Sequence, residues 1–392
     1  MSLDKELDSV ESLLQKLPEK DLKQVWRILY GDGVRDLELS EKCLKLVTRY
    51  KMELVKCKFS YKEEQLRPPR LVRVALFQQK VPVPLTFPIY KVKTEMYTLA
   101  MDAVKIAAKG GANIFCFQQA WNMPYAFCSG ESMPWSEYAE KAEEGATTRI
   151  LQTLALENNM VIISTILERD ENFEERIWNT AVVIDNHGIV LGKHQRNHVP
   201  KVECSNEPTY YCEGNTGHPV FETEFGKIGI NICYERHYPL NWLGLALNGA
   251  EIVFNPCGAI GQEAELLWTV EARNAAVANG YYVCAINRIG MEIYEHEYED
   301  EQGNLVHHED SGLFFGSSFV SAPNGSRSPG LSRTKTGVLI AEFDLNLCRQ
   351  VKDRKGLELM HRLPLYRDLL SKITATNFKP QVIKKHCQCQ TT

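Results

Sequence analysis

The chain has 392 residues, of which 44% are apolar and 24% charged, the balance of a globular protein holding one large domain with appendages, or two domains. A net charge of −5 gives no reason to expect nucleic acid or an anionic membrane surface as a partner. Twelve cysteines without a CxxC pair read as free thiols in a reducing compartment; with a charged N-terminus (Met1-Ser2-Leu3-Asp4-Lys5-Glu6) and no apolar run of bilayer length, the expected location is the cytoplasm.

Residues 3 to about 31 carry helical spacing, with Leu3, Leu7, Val10, Leu14 and Leu17 before Pro18, then Leu22, Val25 and Leu29 after it. Residues 1–65 are read as an N-terminal helical arm, packing on another subunit or capping its own domain, with a polar stretch at its end. Leu66-Arg67-Pro68-Pro69-Arg70 reads as a linker. From residue 71 strands alternate with helices. Strand-like runs occur at 71–77, 114–117, 160–166, 180–184, 228–233, 252–254, 281–286, 318–320 and 338–343. Helical patterns lie near 95–108, 147–156, 239–247 and 263–278. The alternation predicts an α/β layered domain over residues 71–346. Residues 347–392 form a C-terminal extension, helical and then irregular, with Phe378-Lys379-Pro380 as an extended strap. Cys387 and Cys389 make a lone CxC; without further ligands it is a weak metal signal, and neither metal nor cofactor is expected.

The run Ile230-Asn231-Ile232-Cys233-Tyr234-Glu235-Arg236-His237 places Cys233 where a strand hands over to a helix. Such a turn can present a thiol beside backbone N–H groups that stabilise an oxyanion. On spacing alone, a buried core cysteine is the commoner outcome. Three further groups, however, stand at predicted strand ends, where α/β folds gather reactive side chains. They are Phe117-Gln118-Gln119-Ala120-Trp121, the segment Gly192 to His198 with Arg196, and Glu207 within Asn206-Glu207-Pro208.

Together with these groups, several long motifs carry a resemblance. They include Trp178-Asn179-Thr180-Ala181-Val182-Val183, the run from Gly214 to Phe221, Thr209-Tyr210-Tyr211, Glu271-Ala272-Arg273-Asn274-Ala275-Ala276 and Pro329-Gly330-Leu331-Ser332-Arg333. The chain resembles the nitrilase (carbon–nitrogen hydrolase) superfamily. Within it, the chain looks closely like the β-ureidopropionases, which hydrolyse N-carbamoyl-β-alanine in pyrimidine degradation. The resemblance implies an αββα sandwich pairing across a homodimer into four layers, with higher homo-oligomers built from dimers.

It also implies a Glu base, an oxyanion-binding Lys, a Cys nucleophile and a second, supporting Glu. Cys233 and Glu207 match the last two. Gln119 stands at the base position and Arg196 at the lysine position. An amide cannot accept a proton in the working pH range, and Arg is not a conservative replacement for Lys in a tight site. The family's carboxylate-clamping Arg is Gly130, its Gly after the nucleophile is Glu235, and its Asn-Pro-Ser reads Asn255-Pro256-Cys257. The family's second His after the nucleophile is Tyr238, and an entrance-loop His is replaced near Phe173. Arg236, His237 and His307 complete the expected ligand-binding set. The pattern points to a protein that has lost hydrolysis of N-carbamoyl-β-alanine and holds another small ligand. One alternative is altered chemistry at Cys233 with Glu235 as base; another is retained amidohydrolase activity.

Overall fold

Runs rich in Val, Ile and aromatic residues, bounded by Gly, Asn and Pro, become the strands of two stacked sheets. The computed structural model describes residues 7–129, 131, 135–173, 176–202, 205–299, 302–307 and 312–383. Contacts divide the chain into two units, 1–351 and 352–392.

In the first unit, helices α1 (Val10–Leu14), α2 (Glu19–Tyr30) and α3 (Glu41–Tyr50) accompany strands β1 (Val34–Arg35) and β2 (Glu53–Phe59). Strand β3 (Leu71–Gln78), helix α4 (Ile89–Lys109), β4 (Ile114–Phe117), α5 (Ala146–Asn158), β5 (Val161–Arg169), β6 (Ile177–Ile184) and β7 (Val190–Gln195) follow. Next come β8 (Val220–Thr223), β9 (Gly226–Ile230), α6 (Pro239–Leu247), β10 (Ile252–Pro256), α7 (Gly261–Asn279), β11 (Tyr282–Ile286), β12 (Phe319–Ser321) and β13 (Gly337–Asp344). The first sheet runs β1-β2-β13-β3-β4-β5-β6-β7, and the second runs β8-β9-β10-β11-β12.

Strand alternation sorts the side chains into layers. From β3, Val72, Val74 and Leu76 join the cluster that also holds Ile228, Ile230 and Phe254 of the second sheet. Ala75 and Phe77 point the other way, into the cluster with Ala103, Val104 and Ala107 of α4 and Leu151 of α5. Trp242 and Leu245 of α6 and Trp268, Ala272 and Ala276 of α7 pack against the second sheet. The layering is α, β, β, α, as the family resemblance implies.

The stretch read as polar after residue 31 contains structure that the sequence reading missed. In β2, Cys57 and Phe59 are buried while Lys58 faces out, and the strand pairs parallel to β13. The arm also packs on its own domain. Tyr30 is fully buried, its hydroxyl donates to Glu11, and its carbonyl accepts from the Arg327 N–H.

Helix α8 (Asn346–Lys355) straddles the division between the units, and residues up to Val351 bury Leu347 and Cys348. The second unit holds α9 (Leu357–Met360) and α10 (Leu363–Ile373), the latter exposing Leu365, Tyr366, Leu369 and Ile373. Residues 378–383, including the expected strap, are neither helix nor strand. Cys387 and Cys389 lie outside the described residues. Among the described residues no helix is long and apolar enough to cross a membrane.

Candidate active site

Strand β9 stops at Ile230, three residues short of the predicted end, because the backbone turns sharply at Cys233. Its φ is +50°, a left-handed conformation that costs a non-glycine residue about 1–3 kcal/mol. A short 3-10 helix, Cys233–His237, then leads into α6, whose first residue is Pro239. Glu235 holds this turn in place. One carboxylate oxygen accepts the Asn197 N–H at 2.6 Å; the other accepts the Ile232 N–H and lies 3.2 Å from His194 Nε2. Glu271 anchors the far side, accepting from Arg236 Nε at 2.9 Å and lying 2.5 Å from His237 Nδ1.

Cys233 is 5% exposed, and its thiol is held well below the ordinary range. The largest cause is a hydrogen bond from the Cys257 thiol; burial opposes it, and the charges of Arg196 and Arg236 and the Gly258 N–H reinforce it. Cys257 is pushed the other way, first by burial and then by its anionic neighbour. The pair therefore favours the thiolate on Cys233 over one on Cys257, whose sulfur also lies 3.2 Å from Asn255 Oδ1.

Gln119 follows β4 and is fully buried, with its Oε1 accepting the Gly258 N–H at 3.0 Å. Arg288 Nη1 fixes the backbone there by donating to the carbonyls of Gln119 and Ala120, at 3.0 and 3.1 Å. The amide nitrogen of Gln119 has no partner. Gln118 turns to the opposite face and accepts the Gln79 N–H.

Arg196 and Glu207 form a buried pair. Arg196 Nη1 donates to Glu207 Oε2 and, at 2.5 Å, to the Tyr211 hydroxyl. Tyr211 donates to the same carboxylate oxygen, and Tyr125 donates to the other at 3.2 Å. Burial works to lower the Arg196 pKa, yet Glu207 and then Cys233 raise it, so the guanidinium stays charged. Its Nε and Nη2 have no partner. An arginine with two such donors and a glutamine with one can hold a carbonyl or carboxylate oxygen beside the Cys233 sulfur.

The structure thus brings Cys233, Gln119, Arg196 and Glu207 together, with Glu235, Arg236 and His237 on the same turn as Cys233. It does not bring His307 into this hydrogen-bonded cluster. That residue sits on the hairpin of strands Glu297–Glu299 and Leu305–His307, with its side chain 83% exposed and paired to Glu297 at 3.0 Å. The register of that hairpin sets His307 opposite Glu297, which accounts for the pairing. Gly130 lies outside the described residues. Tyr238 stacks on His198, and Phe173 is exposed.

The sequence reading gave no role to Tyr125, Tyr211, His194 or Glu271. Tyr211 and Glu271 lie within the motifs that carried the resemblance, so a signal was present without its function. Among the described residues, no group of three or more His, Cys, Asp or Glu side chains is arranged to hold a metal.

Comparison with known proteins identifies the family and the fold. The family profile described as Carbon-nitrogen hydrolase matches residues 73–353. The chain is 48% identical to a beta-ureidopropionase of Arabidopsis thaliana over 381 residues, covering 96% of this chain and 93% of that protein. It is 31% identical to an N-carbamoylputrescine amidase of Solanum lycopersicum, covering 68% of this chain and 87% of that one. A solved carbon-nitrogen hydrolase from Helicobacter pylori G27 shares the fold, with a TM-score of 0.65 at 24% identity over 76% of this chain and 98% of that one. A profile match across most of the length, and a relative aligned almost end to end, show that the chain belongs to the carbon–nitrogen hydrolase family.

Proposed function

We propose that this β-ureidopropionase-like protein binds a small carbonyl compound at Cys233 and does not turn over N-carbamoyl-β-alanine. The observation that carries the reading is the commitment of both nearby carboxylates. Glu207 accepts from Arg196, Tyr211 and Tyr125. Glu235 spends its oxygens on two backbone N–H groups and His194. Gln119, at the base position, is an amide. Hydrolysis through an acyl or carbamoyl enzyme has two proton demands: the thiol must lose one, and the attacking water must lose another. The lowered thiol meets the first demand without a base. Among the described residues, Glu207 and Glu235 are committed elsewhere and leave the second unmet, and losing a general base costs about 10²–10⁴-fold in rate, about 3–5 kcal/mol of barrier.

The alternative in which Glu235 replaces the base has no support from its surroundings. Burial pushes its carboxyl up, but His194 and the Asn197 and Ile232 amides bring it below the usual glutamate range. A carboxylate stabilised in that way is a weak proton acceptor.

The test is ammonia release from N-carbamoyl-β-alanine by purified protein against a Cys233→Ala control. The reading predicts no difference between them; Cys233-dependent turnover would refute it and favour retained amidohydrolase activity. We also infer self-association. Leu240, Leu247, Leu266 and Val270 expose apolar side chains on α6 and α7, and each is at least 52% exposed.

A further inference from the structure

The proposed ligand reading uses Cys233 and leaves its neighbour Cys257 without a task. The two thiols are brought together by the sheet. Strands β9 and β10 are parallel, with Ile230 opposite Phe254, and Asn255 of β10 touches both residues: its Nδ2 donates to the Cys233 carbonyl at 3.5 Å, and its Oδ1 accepts from the Cys257 thiol at 3.2 Å. Each thiol shifts the titration of the other, Cys233 downward and Cys257 upward. Cys257 is fully buried, whereas Cys233 retains a small exposed area, so an oxidant meets Cys233 first.

We propose that Cys233 and Cys257 form a peroxidatic and resolving pair that reduces a small hydroperoxide and closes into a disulfide. The Cys233 sulfur attacks one peroxide oxygen, and the O–O bond breaks. The departing oxygen takes a proton from solvent and leaves as water or an alcohol. Cys233 is then a sulfenic acid, oxidised by two electrons. The Cys257 sulfur attacks the Cys233 sulfur and forms the S–S bond. Its thiol proton joins the departing hydroxide as water. One hydroperoxide and two thiols thus give one alcohol or water, one further water and one disulfide.

Each group around the pair has a part in this sequence. Arg196 and Arg236 favour the attacking thiolate. The same two guanidiniums stabilise the oxyanion that leaves when the O–O bond breaks. Burial, and then the neighbouring Cys233, push the Cys257 thiol up, so attack on the peroxide is favoured from Cys233. The pair does not depend on the hydrolytic question. It would operate whether or not the site also turns over ureides.

The experiment is peptide mapping of the full-length protein, reduced, desalted and exposed to hydrogen peroxide. Trypsin separates the two sulfurs cleanly, because Cys233 lies in the peptide 228–236 and Cys257 in the peptide 237–273, with no other cysteine in either. The expected product is a linked 228–236/237–273 species, lost on reduction. In Cys257→Ser the link should be lost, and Cys233 should accumulate as a sulfenic acid captured by dimedone. Unlinked peptides under excess peroxide would overturn the proposal, as would a link from Cys233 to another cysteine. Equal dimedone capture in the wild type and Cys257→Ser would also overturn it, since Cys257 would then not be the resolving thiol. Should the variant fail to fold, the wild-type map decides by itself.

Discussion

Glu235 shows how one side chain can suggest chemistry and supply structure instead. Two residues past a nucleophile, a carboxylate invites assignment as a base, but its oxygens hold the Ile232 and Asn197 amides and face His194. Hydrogen bonds to a charged group contribute about 1.5–3 kcal/mol each, so Glu235→Gln is expected to destabilise the fold by about 2 kcal/mol in denaturant unfolding. The pH dependence has a definite sign. Because the folded-state pKa is lowered, this stabilisation is complete above the unfolded value of about 4.3 and lost as pH falls through the folded value. The variant should therefore lose part of the acid-side slope. The pH profile of Cys233 alkylation should keep its midpoint in Glu235→Gln; an upward shift would return the role of base to Glu235.

At the scale of elements, the central strands and their covering helices were readable because each is a short apolar run or a 3.6-residue pattern with clear ends. Strands β3, β4, β10, β11 and β13 fall where the alternation places them, and β9 does so except that its end at Cys233 is turned out of the strand. Strand β2 was not legible: its lysines at 56 and 58 interrupt the apolar run, and only pairing with β13 makes it a strand. The site divides in the same way. Cys233, Gln119, Arg196 and Glu207 were recognisable from motif positions. The Glu235 cap and the Cys257 contact depend on how a left-handed turn aims its neighbours, which no local pattern encodes. The arm supplies a further check. Tyr30 ends α2 fully buried, bonded to Glu11 and lying under Arg327, whose guanidinium carbon is 4.7 Å from the ring centre. Tyr30→Ala should cost about 3–5 kcal/mol, read as a lower denaturant midpoint. A change below 1 kcal/mol, under the ~1 kcal/mol typical of point mutants, would mean that the arm does not dock on its own domain.

For the whole molecule, the exposed apolar positions on α6 and α7 are expected to be covered by a second copy. Leu266→Asp combined with Val270→Asp should move the mass measured by light scattering toward that of one chain, while leaving the unfolding midpoint of the monomeric form close to unchanged. Wild-type protein that is already monomeric at all concentrations would remove this expectation. The larger question is whether the molecule has a nucleophile without a catalytic cycle. A thiol neighbour and two arginines favour the Cys233 thiolate, whereas among the described residues the Glu207 and Glu235 carboxylates are bonded to other donors. The most direct test gives the protein p-nitrophenyl acetate and follows p-nitrophenol. The account predicts a rapid Cys233-dependent burst of one equivalent followed by a persistent acetyl group on Cys233, seen in the intact mass. Continuous release over many equivalents, abolished by Cys233→Ala, would contradict it.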